Sequence, residues 1–316
     1  MGLPHHPAGV LAVLGPTASG KSDLGMELAR RSGGEIVSVD SMQVYRGMDI
    51  GTAKPSPADQ AEIPHHMIDL VDPDEDYAVA EFQRTGRAAM AAIAARERPV
   101  VIVGGSGLYF RSLVDPLRFP PSDSAVRAAV EGMSRSDAVA ELLEVDPGAG
   151  DHVDLANPRR VRRALEVVRL EGGTPTERSA APQVEQVRNY RPEVPFAAVG
   201  VDPGEMLGER VEGRIDEMLG AGLVEEVAGL ADRLGRTAAS AVGYRQMLPV
   251  VSGTSTVREG REATVRATMA LARKQRTYFG RDPRIRWLAW HPDPAVRYAT
   301  ARRVLKKTGM GWPATL

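Results

Sequence analysis

Cysteine is absent from the 316-residue sequence, which excludes disulfides, zinc sites with cysteine ligands and thiol catalysis. This absence is consistent with a reducing compartment, and we expect a cytoplasmic protein. The sequence has no run of about 18 apolar residues, so it predicts no membrane span. Residues 1–14 lack the basic segment that begins a secretory signal, and none is expected. A net charge of −1 excludes a protein that binds nucleic acids through its overall charge.

Basic residues are nevertheless concentrated in two segments. Residues 157–169 hold five arginines against one acidic residue, Glu166. Residues 266–286 hold seven basic residues against Asp282 alone. A localised positive surface is what the binding of a polyanion requires. A solvated helix face is the alternative for each segment, and both interpretations stay open at this point.

The order of apolar segments predicts an α/β fold. Short apolar strands are expected at residues 10–14, 35–39, 65–71, 99–103, 196–201 and 284–288, and helices at 23–31, 77–96, 206–219, 223–234 and 262–278. Alternating strands and helices favour a parallel sheet with helices on both faces. The residues after Trp290 are either an ordered element or a loose basic extension.

Residues 120–195 break this alternation. Helical periodicity is found at residues 123–131, 136–145 and 158–170, without a convincing strand, and prolines mark both ends. We therefore predict an all-helical insertion at 120–195 within an α/β catalytic core formed by residues 1–119 and 196–316.

The segment Gly15-Pro16-Thr17-Ala18-Ser19-Gly20-Lys21-Ser22, called the P-loop below, matches G-x-x-x-x-G-K-[ST] between a strand and a helix. The glycines let successive N–H groups point at one anion, and the following helix adds its positive end. Lys21 supplies a cation for the outer phosphate, and the Ser22 hydroxyl can bind Mg²⁺. The motif predicts a di- or triphosphate site without saying which.

Two further residues follow strands of the same sheet. Asp40 lies at the carboxyl end of the second strand, where ligands bind in open α/β sheets. It can act as a general base or hold metal-bound water, and a cap of the next segment is the alternative. Ser106 follows a glycine turn and faces the same crevice or simply closes that turn. His65 and His66 point to opposite faces of a strand, which favours structural roles over a shared metal.

Several longer segments give a sharper indication: GPTASGKS, SVDSMQVYRGMDIGTAKP, HHMIDLVDPDEDYAVAEF, VIVGGSGLYFRSL, NPRRVRRALEV, GYRQM and LARKQRTYFGRD. Together they resemble the tRNA dimethylallyltransferase family, whose members prenylate an adenine next to the anticodon. The resemblance implies a P-loop NTPase-like fold with a helical tRNA-binding insertion. It implies transfer of a dimethylallyl group from dimethylallyl diphosphate to N6 of adenine 37 in tRNAs that read codons beginning with U. The products are N6-(dimethylallyl)adenosine and diphosphate.

The resemblance also assigns roles to residues. Asp40 matches the general base, Gly15 to Ser22 match the diphosphate cradle, and Arg214 is a second clamp on the diphosphate beside Lys21. Mg²⁺ is the expected cofactor, with Ser22 as its ligand. The residues expected to contact the tRNA anticodon stem-loop are Asp40, Ser41, Met42, Gln43, Ser106, Arg127, Arg159, Arg160, Val161, Arg162, Arg163, Gly243, Tyr244, Arg245, Arg273, Lys274 and Gln275.

Three alternatives remain beside this interpretation. A small-molecule or nucleoside kinase would use the same P-loop for ATP, but it needs neither basic segment. A prenyltransferase acting on free AMP, ADP or ATP needs no basic insertion. A non-catalytic RNA-binding protein would not need Asp40 beside an intact P-loop. We expect a monomer that does not consume ATP, although the P-loop can hold its phosphates.

Overall fold

The computed structural model describes residues 9–307. Within them the chain divides into two compact units: residues up to Val114 and from Glu193 form the first, and Asp115–Pro192 form the second. These limits lie a few residues from the predicted insertion of 120–195. Residues 1–8 and 308–316, which the predicted core includes, lie outside the described residues.

The first unit contains a parallel six-stranded sheet. Its strands are β1 (Val10–Leu14), β2 (Glu35–Val39), β3 (His65–His66), β4 (Val100–Gly104), β5 (Ala197–Gly200) and β6 (Ile285–Trp287). The strand order is β3-β2-β4-β1-β5-β6. This confirms the predicted α/β class. Alternate residues of β1 belong to different cores: Val10 and Leu14 pack in one, Leu11 and Val13 in the other. The sheet is therefore buried on both faces, as parallel sheets are.

The predicted strand at residues 65–71 is wrong beyond His66. Met67 and Asp69 have φ values of 68° and 52°, which a continuing β-strand does not permit. Val71 forms only an isolated bridge with Tyr45. The apolar character of the segment instead reflects burial of Met67 in the first core.

The helices are α1 (Lys21–Ser32), α2 (Pro57–Glu62), α3 (Val79–Ala95), α4 (Gly107–Val114), α5 (Ser124–Glu131), α6 (Arg135–Val145), α7 (Pro158–Glu171), α8 (Pro175–Ser179), α9 (Pro182–Arg188), α10 (Leu207–Gly220), α11 (Leu223–Leu230), α12 (Arg236–Ala239), α13 (Tyr244–Val251), α14 (Val257–Phe279) and α15 (Pro294–Lys306). None of these helices, over residues 9–307, combines the length and the apolar character that crossing a bilayer requires. Helix α15 lies in the segment after Trp290. Its Tyr298, Ala301 and Leu305 pack in the second core, so α15 is an ordered part of the first unit.

The second unit consists of α5 to α9 around a core of its own. Asn157 caps α7, since its side chain accepts hydrogen bonds from the N–H groups of Arg159 and Arg160, and Pro158 occupies the first turn. Leu165 and Val168 of α7 pack with Leu142 of α6. The predicted absence of strands in this part of the chain agrees with the structure.

Candidate active site

The carboxyl ends of three neighbouring strands bring the predicted site together. Leu14 of β1 and Val39 of β2 both lie opposite Gly104 of β4 in the sheet register. The P-loop, Asp40 and Ser106 follow these strands directly, so they lie at one edge of the sheet. A cavity of about 310 Å³ opens there within the first unit. The predicted site residues that line it are Thr17, Lys21, Ser22, Asp40, Met42, Gln43, Arg214, Gly243 and Gln275.

Two glycines give the P-loop its shape. A Cβ atom on Gly15 would lie 2.2 Å from the carbonyl oxygen of Val201, so only glycine fits beside β5. Gly20 has a φ of 83° and precedes α1 without offering a side-chain cap. The first N–H groups of α1 therefore stay available to an anion at the positive end of the helix.

Lys21 lies over the P-loop. Its Nζ donates a hydrogen bond to the carbonyl oxygen of Pro16 at 3.0 Å. Burial and the neighbouring charge of Arg214 lower the pKa of Lys21 from 10.5 to about 8, against an opposing effect of Asp40. Burial also lowers the pKa of Arg214, again opposed by Asp40. The three residues proposed for catalysis thus influence one another electrostatically at one cavity.

The position of Asp40 suits both roles considered for it, a cap of the next segment and a group facing the cavity. Its Oδ1 accepts a hydrogen bond from the N–H of Met42 at 2.9 Å, which is a cap of the following turn. The half-buried residue also lines the cavity that Lys21 lines. Ser41, next to it, is half-buried.

Gln43 is occupied within the protein. Its Oε1 accepts a hydrogen bond from the Ser38 hydroxyl at 2.8 Å. Its Nε2 donates to the carbonyl oxygens of Thr52 and Ala53, each at 3.2 Å. The side chain therefore connects the end of β2 to the cavity wall. A tRNA contact through this amide would have to replace these bonds.

Glu226 of α11 is a residue that sequence reasoning missed. Its carboxylate accepts hydrogen bonds from the N–H groups of Asp49, Ile50 and Gly51, at 3.0, 2.7 and 3.1 Å. It also accepts one from the hydroxyl of Tyr244. Both Gly51 and Gly243, the neighbour of Tyr244, line the cavity. One carboxylate therefore fixes two parts of the cavity wall.

The side chain of Tyr244, predicted to contact tRNA, is not exposed to such a contact. The ring is buried in the first core, and its hydroxyl is bonded to Glu226. Arg245, the next residue, is exposed and remains a candidate.

Lys54, also missed, stabilises the same wall. Its side chain is only 2% exposed, and Nζ lies 2.5 Å from carboxylate oxygens of both Asp49 and Asp69. Nζ also donates to the carbonyl oxygen of Tyr45. The segment GTAKP contains Lys54, but the sequence does not indicate that this lysine pairs with Asp49 and Asp69.

The predicted residues of α14 divide into two kinds. Gln275 accepts a hydrogen bond from the N–H of Thr17 at 2.9 Å and donates to the carbonyl oxygen of Gly105 at 3.1 Å. It thereby connects the P-loop to the turn before Ser106, which is half-buried. Arg273 and Lys274 are exposed, as a polyanion contact requires.

Only some residues of the basic segment in the second unit are exposed enough to contact a polyanion. Arg159 and Arg160 are exposed on α7. Val161, also predicted to contact tRNA, is 1% exposed, and its side chain packs in the core of the insertion instead. Arg162 donates to the carbonyl oxygen of Met133 at 3.1 Å and is half-buried.

Arg163 pairs with Glu166, the one acidic residue of this segment. It lies 2.9 Å from Glu166, whose side chain is 5% exposed, and donates to the carbonyl oxygens of Pro120 and Pro121. Arg127 lies 3.9 Å from the same carboxylate. Burial raises the pKa of Glu166, but the hydrogen bond from the Ser122 hydroxyl and the charges of the two arginines lower it below its ordinary value. Their first role is therefore to hold the insertion together.

The donors near the P-loop fit a magnesium ion that keeps most of its water. Ser22 is exposed and lines the cavity together with the carboxylates of Asp23 and Asp40. These are hard oxygen donors, which Mg²⁺ prefers. Over residues 9–307 no group of three or more histidine, aspartate and glutamate side chains forms a complete metal site. Such an ion would need phosphate oxygens and water as further ligands.

Comparison with known proteins gives consistent matches. A family model described as IPP transferase matches residues 43–282. A tRNA dimethylallyltransferase of Kineococcus radiotolerans is 45% identical over 320 residues, covering 97% of this chain and 98% of that protein. The full-length tRNA isopentenylpyrophosphate transferase of Bacillus halodurans is 30% identical with a TM-score of 0.65, covering 95% and 97% of the two chains. A eukaryotic dimethylallyltransferase acting on tRNA, 22% identical, shares the fold with a TM-score of 0.77, covering 95% and 80%.

Proposed function

This chain belongs to the IPP transferase family, and we propose that it transfers the dimethylallyl group of dimethylallyl diphosphate to N6 of adenine 37 in tRNA. The observation that carries the proposal is the grouping of Lys21, Arg214 and Asp40 around one cavity beside the P-loop. A phosphate-binding loop alone would serve many reactions. A carboxylate aimed at the same cavity supplies the base that an amine nucleophile needs.

The diphosphate is proposed to occupy the P-loop. The uncapped N-terminus of α1 offers N–H groups and a positive dipole. Burial lowers the pKa of both Lys21 and Arg214, and repulsion from Arg214 lowers that of Lys21 further. An anion with two or more charges offsets that repulsion. The same two cations stabilise the negative charge that grows on the leaving diphosphate.

The prenyl chain and the adenine are proposed to meet in the cavity. Val211, Ile215 and Met218 of α10 give it an apolar wall suited to a short hydrocarbon chain. The N6 lone pair forms a bond to C1 of the prenyl group while the C1–O bond breaks. The diphosphate leaves with that electron pair, and the N6 proton passes to the carboxylate of Asp40. A base in this position contributes roughly 10²–10⁴-fold to the rate.

A Mg²⁺ ion is proposed to be held by the Ser22 hydroxyl together with phosphate oxygens of the substrate and water. It would neutralise part of the charge on the departing diphosphate. The donor set described above supports this assignment. Asp23 lines the same region, and its Oδ2 accepts a hydrogen bond from Nη2 of Arg297 at 3.4 Å.

Recognition of tRNA is proposed to rest on exposed basic residues. Arg159 and Arg160 of the insertion and Arg273 and Lys274 of α14 have the exposure that phosphate contacts need. The target base lies in a single-stranded loop, where extruding it into a pocket costs less than in a duplex. Action as a monomer is also part of the proposal. A cytoplasmic location remains part of the proposal.

The direct test is a transfer assay without ATP. The protein is incubated with Mg²⁺, dimethylallyl diphosphate and a transcript of a tRNA that carries adenine 37, and nucleosides are identified by mass spectrometry. We expect N6-(dimethylallyl)adenosine and an equal amount of diphosphate. A transcript with guanine 37 is the matched control. Equal prenylation of free AMP, or ADP formation with phosphorylation of a small molecule, would contradict the proposal.

A further inference from the structure

Two carbonyl groups of the P-loop are held from outside the loop. The carbonyl oxygen of Ala18 accepts a hydrogen bond from Nε of Arg210 at 2.6 Å. The carbonyl oxygen of Ser19 accepts one from Nε1 of Trp290 at 3.1 Å. Arg210 lies on α10, one helical turn before Arg214. Trp290 lies between β6 and α15, more than 260 residues from the loop, and outside residues 43–282 that the family model matches.

A buried arginine of α15 completes this arrangement. Arg297 is 2% exposed and donates to the carbonyl oxygens of His291 and Pro292. A Cβ atom on Gly20 would lie 3.0 Å from its Nη2, so the guanidinium packs directly on the loop. The guanidinium carbons of Arg210 and Arg297 lie 5.3 and 6.0 Å from the centre of a ring of Trp290. The indole therefore lies close to two cations, both of which contact the P-loop.

These contacts bear on the direction of the anion-binding groups. In a planar trans peptide the C=O and N–H point in opposite directions. A donor that fixes the carbonyl of Ala18 also fixes the N–H of Ser19, and a donor on the carbonyl of Ser19 fixes the N–H of Gly20. Holding both carbonyls outward orients the two N–H groups toward the opposite side, where the helix N-terminus already favours an anion.

We propose that Trp290 is a positioning residue for the diphosphate, acting through the peptide between Ser19 and Gly20. The inference rests on the proposed function, because it assumes that the P-loop holds a diphosphate. The segment from Trp290 to α15 is then part of the diphosphate site, although no residue of it lines the cavity of Lys21 and Asp40. Arg297 contacts both the indole and Gly20 and so helps to hold the indole against the loop.

The test replaces the indole by a ring without a donor. Trp290→Phe keeps an aromatic ring near the two arginines and removes the donor of the hydrogen bond to Ser19. Trp287→Phe is the matched control, since Trp287 is 40% exposed and packs on Gly200 of β5 instead of on the P-loop. Binding of inorganic pyrophosphate with Mg²⁺ is measured by calorimetry for the wild type and both variants.

We expect Trp290→Phe to weaken pyrophosphate binding about five-fold, which is the typical effect of one neutral hydrogen bond. The KM for dimethylallyl diphosphate should rise by the same factor, with tRNA binding unchanged. Trp287→Phe should match the wild type. Equal affinity in all three proteins would overturn the inference. Failure of the wild type to bind pyrophosphate would instead contradict the proposed diphosphate site.

A second measurement needs no change at Trp290. The chain has three tryptophans, so Trp287→Phe/Trp312→Phe leaves Trp290 as the sole indole emitter. Pyrophosphate should shift its emission with the dissociation constant found by calorimetry. An emission spectrum that saturating pyrophosphate leaves unchanged would overturn the inference, because the bonded peptide would then not respond to the ligand.

Discussion

Protonation of Lys21 should control how strongly the P-loop binds a diphosphate. Burial and Arg214 lower the pKa of this amine to about 8 in the free protein. A bound diphosphate adds negative charge beside it and raises the pKa again. Binding must therefore take up a proton wherever the free amine is partly neutral, and affinity must fall as the pH rises through about 8.

The size of the effect follows from the pKa. Below about pH 7 the amine carries its charge and contributes fully. Above about pH 8 each further pH unit removes roughly 90% of the remaining charged form, which weakens binding about ten-fold per unit. At pH 8 about half a proton should be taken up for each diphosphate bound. An amine with the ordinary pKa of 10.5 would show neither effect in this range.

The affinity for pyrophosphate with Mg²⁺ and the number of protons taken up are measured between about pH 6.5 and 9.5. Calorimetry in two buffers of different ionisation enthalpy gives both. Lys21→Arg is the matched control, because an arginine stays charged throughout this pH range. Titration of the ligand itself affects both proteins equally. The wild type should lose affinity relative to this variant above about pH 8. Parallel profiles for the two proteins would refute the reasoning.

Three remaining predictions concern the insertion and the metal. Arg159→Ala/Arg160→Ala should lower the slope of log Kd for tRNA against log salt by about two, without changing pyrophosphate binding; an unchanged slope would mean that this face is only solvated. Arg163→Ala should instead lower the melting temperature, because it removes the closest charged partner of the buried Glu166, and a melting temperature equal to that of Arg159→Ala would count against that role. Chelation with EDTA should abolish transfer and added Mg²⁺ should restore it, whereas full activity in excess chelator would exclude the metal.

The sequence predicted what is encoded locally. The P-loop motif, the apolar strands and the position of Asp40 at a strand end need only neighbouring residues, and the structure brings them to one cavity. The helical insertion followed from periodicity in the same way. Helix α15 escaped prediction because its basic composition resembles a loose extension, while only three of its residues anchor it in the core.

Local sequence patterns do not predict contacts between segments that are distant in the chain. Glu226 bonds the N–H groups of residues 49–51, about 175 residues away, and no local pattern distinguishes it from the exposed Glu225 beside it. The expected tRNA contacts Tyr244 and Val161 lie in segments that resemble the family, but both side chains are buried there. A motif marks the segment, but the packing decides which of its side chains face a ligand.

Removal of the base tests the central claim most directly. Asp40→Asn keeps the shape of the side chain and its hydrogen bond to Met42 but cannot accept the N6 proton. The rate of prenyl transfer is measured in a single turnover, with tRNA and pyrophosphate binding determined on the same protein. We predict a rate at least about 10²-fold below that of the wild type, with both affinities nearly unchanged. A single-turnover rate close to that of the wild type would contradict the account.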